Sequence, residues 1–185
     1  MLAAFVWWVF AIFWIALWRG EFPRVLRALC GLLTLLPAWM ATVVLHASTQ
    51  GSRKLLFVLV LIWVADTGAY FAGRAFGRHK LAPAVSPGKT WEGVAGGTAG
   101  LLVVAWLGAQ WVLPQQGYWL FLICVITGWW SIVGDLSESL FKRQAGVKDS
   151  GRLFPGHGGV FDRIDSLTVA VPVFWLGLSV LEWWR

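Results

Sequence analysis

The chain has 185 residues, of which 58% are apolar and only 13% are charged. Soluble domains are about 45–50% apolar and about 25% charged, and a globule of this size cannot hide so much apolar surface from water. The composition therefore excludes a soluble, a disordered or a fibrous protein and predicts an integral membrane protein. In a membrane protein, the net charge of +6 is informative about which side of the bilayer each loop occupies. We expect no nucleic-acid partner.

A helix needs about 20 mainly apolar residues to cross the hydrocarbon core of a membrane. Six stretches meet this requirement, over residues 2–18, 28–46, 55–73, 93–113, 118–138 and 166–184. The first has no preceding basic residue and a long apolar run, so we interpret it as a span rather than a cleaved signal peptide. We expect an all-α, polytopic bundle of about six transmembrane helices that forms one membrane domain over residues 1–185.

Basic residues are distributed unequally between the two sets of alternate loops. The set after spans one, three and five holds Arg19, Arg24, Arg27, Arg74, Arg78, Lys80, Lys89, Lys142, Arg143, Lys148, Arg152 and Arg163, and the other set holds Arg53, Lys54 and Arg185. Such an excess marks the cytoplasmic side. The two long loops, residues 74–92 and 139–165, are therefore predicted to be cytoplasmic.

The densest polar cluster runs from Gly134 to Asp165. Asp135 and Glu138 share a helix face at a spacing of three, as do Asp162 and Asp165 if a helix begins near Val160. Carboxylates without cysteine suit a hard cation such as Mg²⁺, and the interleaved basic residues and glycines suit phosphate groups. A solvated basic loop that anchors to anionic lipids would explain the basic residues, but not the carboxylates and glycines.

Two further segments carry candidate site residues. Ser86–Gly93 contains Gly-Lys-Thr but lacks the glycine spacing of a P-loop. In one interpretation, Thr90 caps the following helix while Lys89 binds an anion. In the other, the segment is only a capped helix start. Asp66 lies inside the third span, where a carboxylate marks a functional site by default, a structural salt bridge being the alternative.

The remaining histidines and cysteines give weaker signals. His157 is a ligand, a proton shuttle or a simple loop cap, and we expect His46 and His79 to be interfacial residues without a role. Cys30 and Cys124 lie inside apolar runs and are expected to be buried free thiols.

The stretch from Ser139 to Asp165 resembles the signature of the phosphatidate cytidylyltransferases (CDP-diacylglycerol synthases). The matching positions are Ser139, Lys142, Arg143, Lys148, Asp149, Gly151, Pro155, His157, Gly158, Gly159, Asp162, Arg163 and Asp165. Ala65–Tyr70 and Ser86–Gly93 are similar to further segments of that family, in the same order. Position 88 is Gly where relatives often carry a lysine, and relatives have additional helices upstream.

The resemblance implies an enzyme that transfers the cytidylyl group of CTP to phosphatidate, releasing pyrophosphate, in a multi-pass protein of the bacterial inner membrane with a cytoplasmic active site. Its nucleophile is a phosphate monoester, largely ionised at neutral pH, so no strong general base is required. A homodimer is compatible with it. Mg²⁺ is the implied cofactor, with a second cation also conceivable.

The resemblance also implies a role for each candidate residue. The expected metal ligands are Asp135 and Asp162, with Asp165 and Glu138 as further ligands or as their supports. The phosphates are expected to be held by Lys142, Arg143, Lys148 and Arg163. CTP is expected to be bound by Ser86, Lys89 and Thr90, and the substrate site is completed by His157 and Asp66. Since carboxylates that share a site repel one another without metal, Asp135→Asn or Asp162→Asn should leave the fold intact or more stable.

Three other functions are compatible with parts of the sequence. A CTP-dependent lipid kinase could share the charged loop but would release CDP. An ion or solute transporter would explain Asp66 and the spans, and a lipid-anchoring structural protein would explain the basic residues alone.

Overall fold

The structure is a computed structural model that describes residues 2–17, 23–111, 117–151 and 159–183. Its elements are α1 (Leu2–Leu17), α2 (Arg24–Ala47), α3 (Gly51–Phe76), β1 (Lys80–Ala82), β2 (Ser86–Thr90), α4 (Trp91–Trp111), α5 (Gly117–Gln144), α6 (Phe161–Ile164) and α7 (Leu167–Trp183). The predicted all-α membrane bundle is confirmed, with one short hairpin added.

Five of the described helical segments are long and apolar enough to cross a membrane: α2, α3, α4, α5, and α6 with α7 over Phe161–Leu181. The first predicted span is helical over its described residues, Leu2–Leu17, and residues 18–22 lie outside the description. The prediction of about six transmembrane helices is therefore confirmed for five of them.

The predicted loop 74–92 is more ordered than its sequence suggests. Helix α3 continues to Phe76, and β1 pairs with β2 as an antiparallel hairpin in which Lys80 faces Thr90. Thr90 then caps α4, because its Oγ1 accepts the backbone N–H of Gly93 at 3.1 Å. This is the cap predicted from the sequence.

The predicted loop 139–165 is shorter than expected, because α5 continues to Gln144. The helix ends in a Schellman motif: Val147 N–H donates to the Lys142 carbonyl at 3.0 Å and Gly146 N–H to the Arg143 carbonyl at 3.1 Å. Gly146 has a φ of 68°, the left-handed conformation that this motif requires after the helix. Arg27 adds a donor to the last carbonyl, that of Gln144, at 2.9 Å.

Helices α3 and α4 approach each other through small residues. A Cβ atom on Gly97 would lie 2.7 Å from the carbonyl oxygen of Ala65, and one on Gly68 would lie 2.9 Å from that of Gly96. Between membrane helices, small residues permit such backbone contact, and close packing rather than the hydrophobic effect holds the pair together. The seam fixes α3 and the start of α4 relative to each other.

Helix α7 lies at the centre of the bundle. Residues 166–174 are all buried, and Phe174 is fully enclosed among side chains of α2, α3, α4 and α5. A second cluster joins α1 to α7 and to the hairpin turn. It contains Trp7, Trp8 and Trp14 of α1, Val169 and Val173 of α7, and Val85 of the turn. Cys30 and Cys124 are buried free thiols, as predicted.

Candidate active site

A cavity of about 550 Å³ opens between α3, α4, α5, the hairpin and the start of α6–α7. Its apolar wall includes Val94, Leu101 and Trp129. Its polar wall gathers most of the residues selected from the sequence, namely Asp66, Ser86, Lys89, Thr90, Asp135, Asp162, Arg163 and Asp165. Segments that are up to 99 residues apart in the chain, Asp66 to Asp165, thus contribute to one site.

Lys89 and Asp135 form an ion pair across the cavity. The ammonium of Lys89, on β2, contacts the Asp135 carboxylate on α5, and both side chains are about one-quarter exposed. The pair joins the hairpin to the helix that carries the first acid of the cluster. A phosphate that binds Lys89 would therefore compete with Asp135 for the same ammonium.

Asp162 is the most heavily hydrogen-bonded carboxylate of the site. Its Oδ1 accepts from the Lys142 ammonium at 2.7 Å. Its Oδ2 accepts from the Ser150 N–H and hydroxyl, both at 2.8 Å, and from the Gly159 N–H at 2.7 Å. Ser150 and Gly159 are nine positions apart in the chain, and Asp162 holds both of them.

Glu138 lies behind Asp162 rather than in the cavity. Its carboxylate is 3% exposed and pairs with Lys142 Nζ at 2.5 Å, so that Lys142 bridges Glu138 on α5 and Asp162 on α6. In this arrangement two carboxylates share the single positive charge of Lys142. The predicted roles of Glu138 at a metal and of Lys142 at a phosphate stay predictions, and neither side chain lines the cavity.

Asp66 and Asp165 face the cavity from α3 and from the junction of α6 and α7. Ser166 connects them: its backbone N–H donates to Asp165 Oδ1 at 2.7 Å and its hydroxyl to Asp66 Oδ1 at 3.5 Å. Both carboxylates also lie within the electrostatic reach of Asp135. Among the described residues, Asp135 is paired with the Lys89 ammonium, whereas Asp66 and Asp165 form no ion pair.

This donor set suits Mg²⁺ by its chemistry, because Mg²⁺ prefers carboxylate oxygens and keeps several waters. Asp66, Asp135 and Asp165 supply three carboxylates around one cavity, and the close approach of like charges favours a divalent cation between them. Within the described ranges, however, no three acidic, histidine or cysteine side chains are already gathered around a common metal position. Metal binding would therefore need these side chains to turn towards one ion.

Three other predicted residues lie outside the cavity or outside the described part of the chain. Arg143 donates its Nε–H to the Val85 carbonyl at 3.4 Å, which ties α5 to the hairpin turn. Lys148 is exposed in the loop after α5. His157 lies outside the described residues.

The sequence indicates one further feature of the site and misses another. Tyr70 and Arg74 line the cavity, and their spacing of four and eight residues from Asp66 is a signal that places them on its face of α3. His79, expected to have no role, instead contacts Glu92 through its Nδ1 at 2.6 Å, while the backbone N–H groups of Arg78 and His79 also donate to that carboxylate. Nothing in the local pattern indicates this clasp, which joins the end of α3 to the start of α4.

Comparison with known proteins identifies the family to which the chain belongs. A family model described as the cytidylyltransferase family matches residues 1–181. A phosphatidate cytidylyltransferase of Pseudomonas aeruginosa is 46% identical over 192 residues, covering 99% of this chain and 70% of the relative. A protein of the same name from Haemophilus influenzae is 53% identical over 134 residues, covering 70% of this chain and 46% of the relative.

A third relative, the phosphatidate cytidylyltransferase of Staphylococcus epidermidis, is 44% identical over 126 residues, or 68% of this chain and 48% of the relative. The chain thus spans about half the length of two of these relatives and 70% of the first. Because the family match extends over almost the whole chain and includes the segments that build the cavity, this protein belongs to the cytidylyltransferase family.

Proposed function

We propose that this protein transfers the cytidylyl group of CTP to phosphatidate, giving CDP-diacylglycerol and pyrophosphate. The observation that carries the proposal is the cavity itself, in which carboxylates, cations and an apolar wall meet at the ends of membrane-spanning helices. A lipid phosphate whose acyl chains stay in the bilayer and a water-soluble nucleotide could both reach such a site. The names of the three relatives support the same substrates.

The reaction joins two anions, so charge neutralisation and alignment matter more than proton transfer. A phosphate oxygen of phosphatidate attacks the α-phosphorus of CTP, the new P–O bond forms, and the bond between the α-phosphorus and the bridging oxygen breaks. Pyrophosphate leaves with the electron pair. Lys89 and Arg163, both on the cavity wall, are the cations proposed to hold the phosphates in line, and Ser86 and Thr90 support the nucleotide side.

We propose Mg²⁺ as the cofactor, held by Asp135 and Asp165 with Asp66 beside them. Asp162 could join this set by exchanging the Lys142 ammonium at Oδ1, since its Oδ2 already accepts three hydrogen bonds. When bound, the ion supplies positive charge to the phosphates and the leaving pyrophosphate. The residues of the chain would orient the phosphates and exclude water.

We also propose that the cavity faces the cytoplasm of a bacterial inner membrane. The cavity lies at the ends of α3 and α5 and at the start of α4, which are the ends nearest the more basic loops. An excess of lysine and arginine is retained on the cytoplasmic side during insertion. A homodimer stays a prediction from the family resemblance.

The decisive experiment follows two labels of CTP with the purified protein in phosphatidate-containing nanodiscs. If the proposal is right, label in the α-phosphate moves into lipid and label in the γ-phosphate appears in pyrophosphate. A lipid kinase would instead move the γ-label into lipid and release CDP, and a transporter or structural protein would do neither. Asp135→Asn should nearly abolish transfer, whereas Glu182→Gln, a matched acid-to-amide change at the far end of α7, should not.

A further inference from the structure

Arg74 lies on the wall of the cavity and has no role in the proposed reaction so far. The cations that line the cavity are Arg74, Lys89 and Arg163. Lys89 is already paired with Asp135. Arg74, which is exposed, forms no ion pair within the described part of the chain, and its side chain contacts a neutral group, the hydroxyl of Tyr70.

The contact with Tyr70 orients two donors toward the same space. Arg74 Nη1 donates to the Tyr70 oxygen at 3.3 Å, one turn earlier on α3. The Tyr70 O–H proton then remains available for another acceptor, because the phenol oxygen uses a lone pair in this bond. Since both residues line the cavity, a guanidinium and a phenol O–H are presented together to whatever binds there.

The chemistry of this pair fits a phosphate group. The guanidinium carries several N–H donors in a planar fork that matches phosphate oxygens, and charge-assisted bonds of this kind are stronger than neutral ones. A cavity with four carboxylates on its wall, Asp66, Asp135, Asp162 and Asp165, would repel an anion unless unpaired cations offset them. Arg74 meets that need without first breaking an ion pair.

The position of Arg74 along the helix fits the same role. It lies in the last turn of α3, next to exposed Phe71 and Phe76 and one turn from Tyr70. Aromatic side chains of this kind concentrate where the membrane meets water, which is also the depth of a lipid phosphate. An arginine that only extends its charge to the membrane surface from a helix C-terminus would lie at the same depth. Such an arginine would need neither the planar fork of the guanidinium nor a neighbouring phenol.

We propose that Arg74, oriented by Tyr70, binds a phosphate group of a substrate in this cavity, an inference that rests on the proposed function. The phosphate belongs either to the nucleotide triphosphate or to the phosphatidate headgroup. Arg74 is a binding residue in this scheme, and Tyr70 both positions it and adds a hydrogen bond.

The test measures equilibrium binding without turnover, followed by steady-state rates. The variants are Arg74→Gln, Arg74→Lys and Tyr70→Phe, and the matched control is Arg78→Gln, an exposed arginine four residues on that does not line the cavity. One arm titrates CTP into protein in phosphatidylcholine nanodiscs with EDTA. The other arm measures the KM for phosphatidate at saturating CTP.

Arg74→Gln should weaken one of the two ligands about tenfold or more, the effect of losing a hydrogen bond to a charged group. Arg74→Lys should recover only part of that loss, and Tyr70→Phe should cost about two- to tenfold on the same ligand. Loss in the CTP arm assigns Arg74 to the nucleotide, and loss in the other arm assigns it to the lipid phosphate.

Two outcomes would overturn the inference. One is unchanged CTP binding and an unchanged KM for phosphatidate in Arg74→Gln; the other is an equal loss in Arg78→Gln, which would indicate a general effect of charge. Full recovery by Arg74→Lys would reduce the site to a point charge and refute the role of the fork. If wild-type protein transfers no cytidylyl group yet its CTP binding still depends on Arg74, the proposed function fails while this inference stands.

Discussion

Asp162 and Asp165 are three residues apart on one short segment, yet their environments predict opposite effects on stability when each is replaced by asparagine without metal. The Asp162 carboxylate is 7% exposed, and its oxygens accept four hydrogen bonds, one of them from the Lys142 ammonium. Asp165 accepts from its neighbour Ser166 and is close to the like charge of Asp135.

The magnitude for Asp162→Asn follows from these contacts. Breaking a buried ion pair by removing one partner costs about 3–5 kcal/mol. The lower end applies here, because Lys142 keeps Glu138 as a partner and asparagine keeps one acceptor oxygen. About 3 kcal/mol corresponds to a decrease in Tm of about 6–12 °C for a chain of this size. Asp165→Asn removes a repulsion and should leave Tm unchanged or raise it by a few degrees.

Thermal unfolding in detergent with EDTA, followed by the fluorescence of the 15 tryptophans at one fixed scan rate, measures both effects. For Asp162 the sequence alone predicts the opposite result, because the only interaction it indicates is repulsion between acids. An unchanged or higher Tm for Asp162→Asn, or an equal decrease for Asp165→Asn, would refute the reasoning from the structure.

The same preparation tests the metal. Mg²⁺ that binds the folded state raises Tm with concentration, and we expect this increase in wild type and a reduced one in Asp165→Asn. An equal increase in both proteins would remove Asp165 from the proposed ligand set.

Two further predictions concern substrate binding and topology. Lys89→Ala should raise the KM for CTP about ten- to a hundredfold, as expected for one lost charge-assisted contact, and leave the KM for phosphatidate within about threefold. An unchanged KM for CTP would mean that Lys89 and Thr90 only form the structural start of α4. Single cysteines that replace exposed Thr49 and Ala145 should react with a membrane-impermeant maleimide from opposite sides of sealed vesicles. Background labelling should be low because Cys30 and Cys124 are buried. Labelling of both positions from the same side would contradict the predicted topology.

The spans and most cavity residues could be predicted because their signals are local. An apolar run of about 20 residues is sufficient to indicate a crossing, and a carboxylate inside such a run is too costly to be incidental. The ends of the helices could not be predicted in this way. Hydropathy reports the thickness of the membrane, whereas α5 continues for another six residues after 138 until Gly146 provides the left-handed position that terminates it.

The partners of each acid depend on long-range packing, which no local pattern encodes. Lys89 meets Asp135 across 46 residues of sequence, and Lys142 turns away from the cavity because Glu138 and Asp162 enclose it. The hairpin is a similar case. Ser86-Pro87-Gly88 has little intrinsic preference for a strand, and it pairs with β1 because α3 and α4 are in contact and the chain must return along their ends.

Close helix packing explains why acids from different helices reach one cavity. The α3–α4 seam at Gly68 and Gly97 holds Asp66 at a fixed distance from the start of α4, where Lys89 and Thr90 lie. On the other side of the cavity, a Cβ atom on Gly134 would be 2.9 Å from the carbonyl oxygen of Asp165. The glycine that precedes Asp135 therefore lets the start of α7 touch α5, and this contact brings the Asp135 and Asp165 carboxylates together. The acids supply the chemistry of the site, and the adjacent glycines determine how closely the helices carry them to one another.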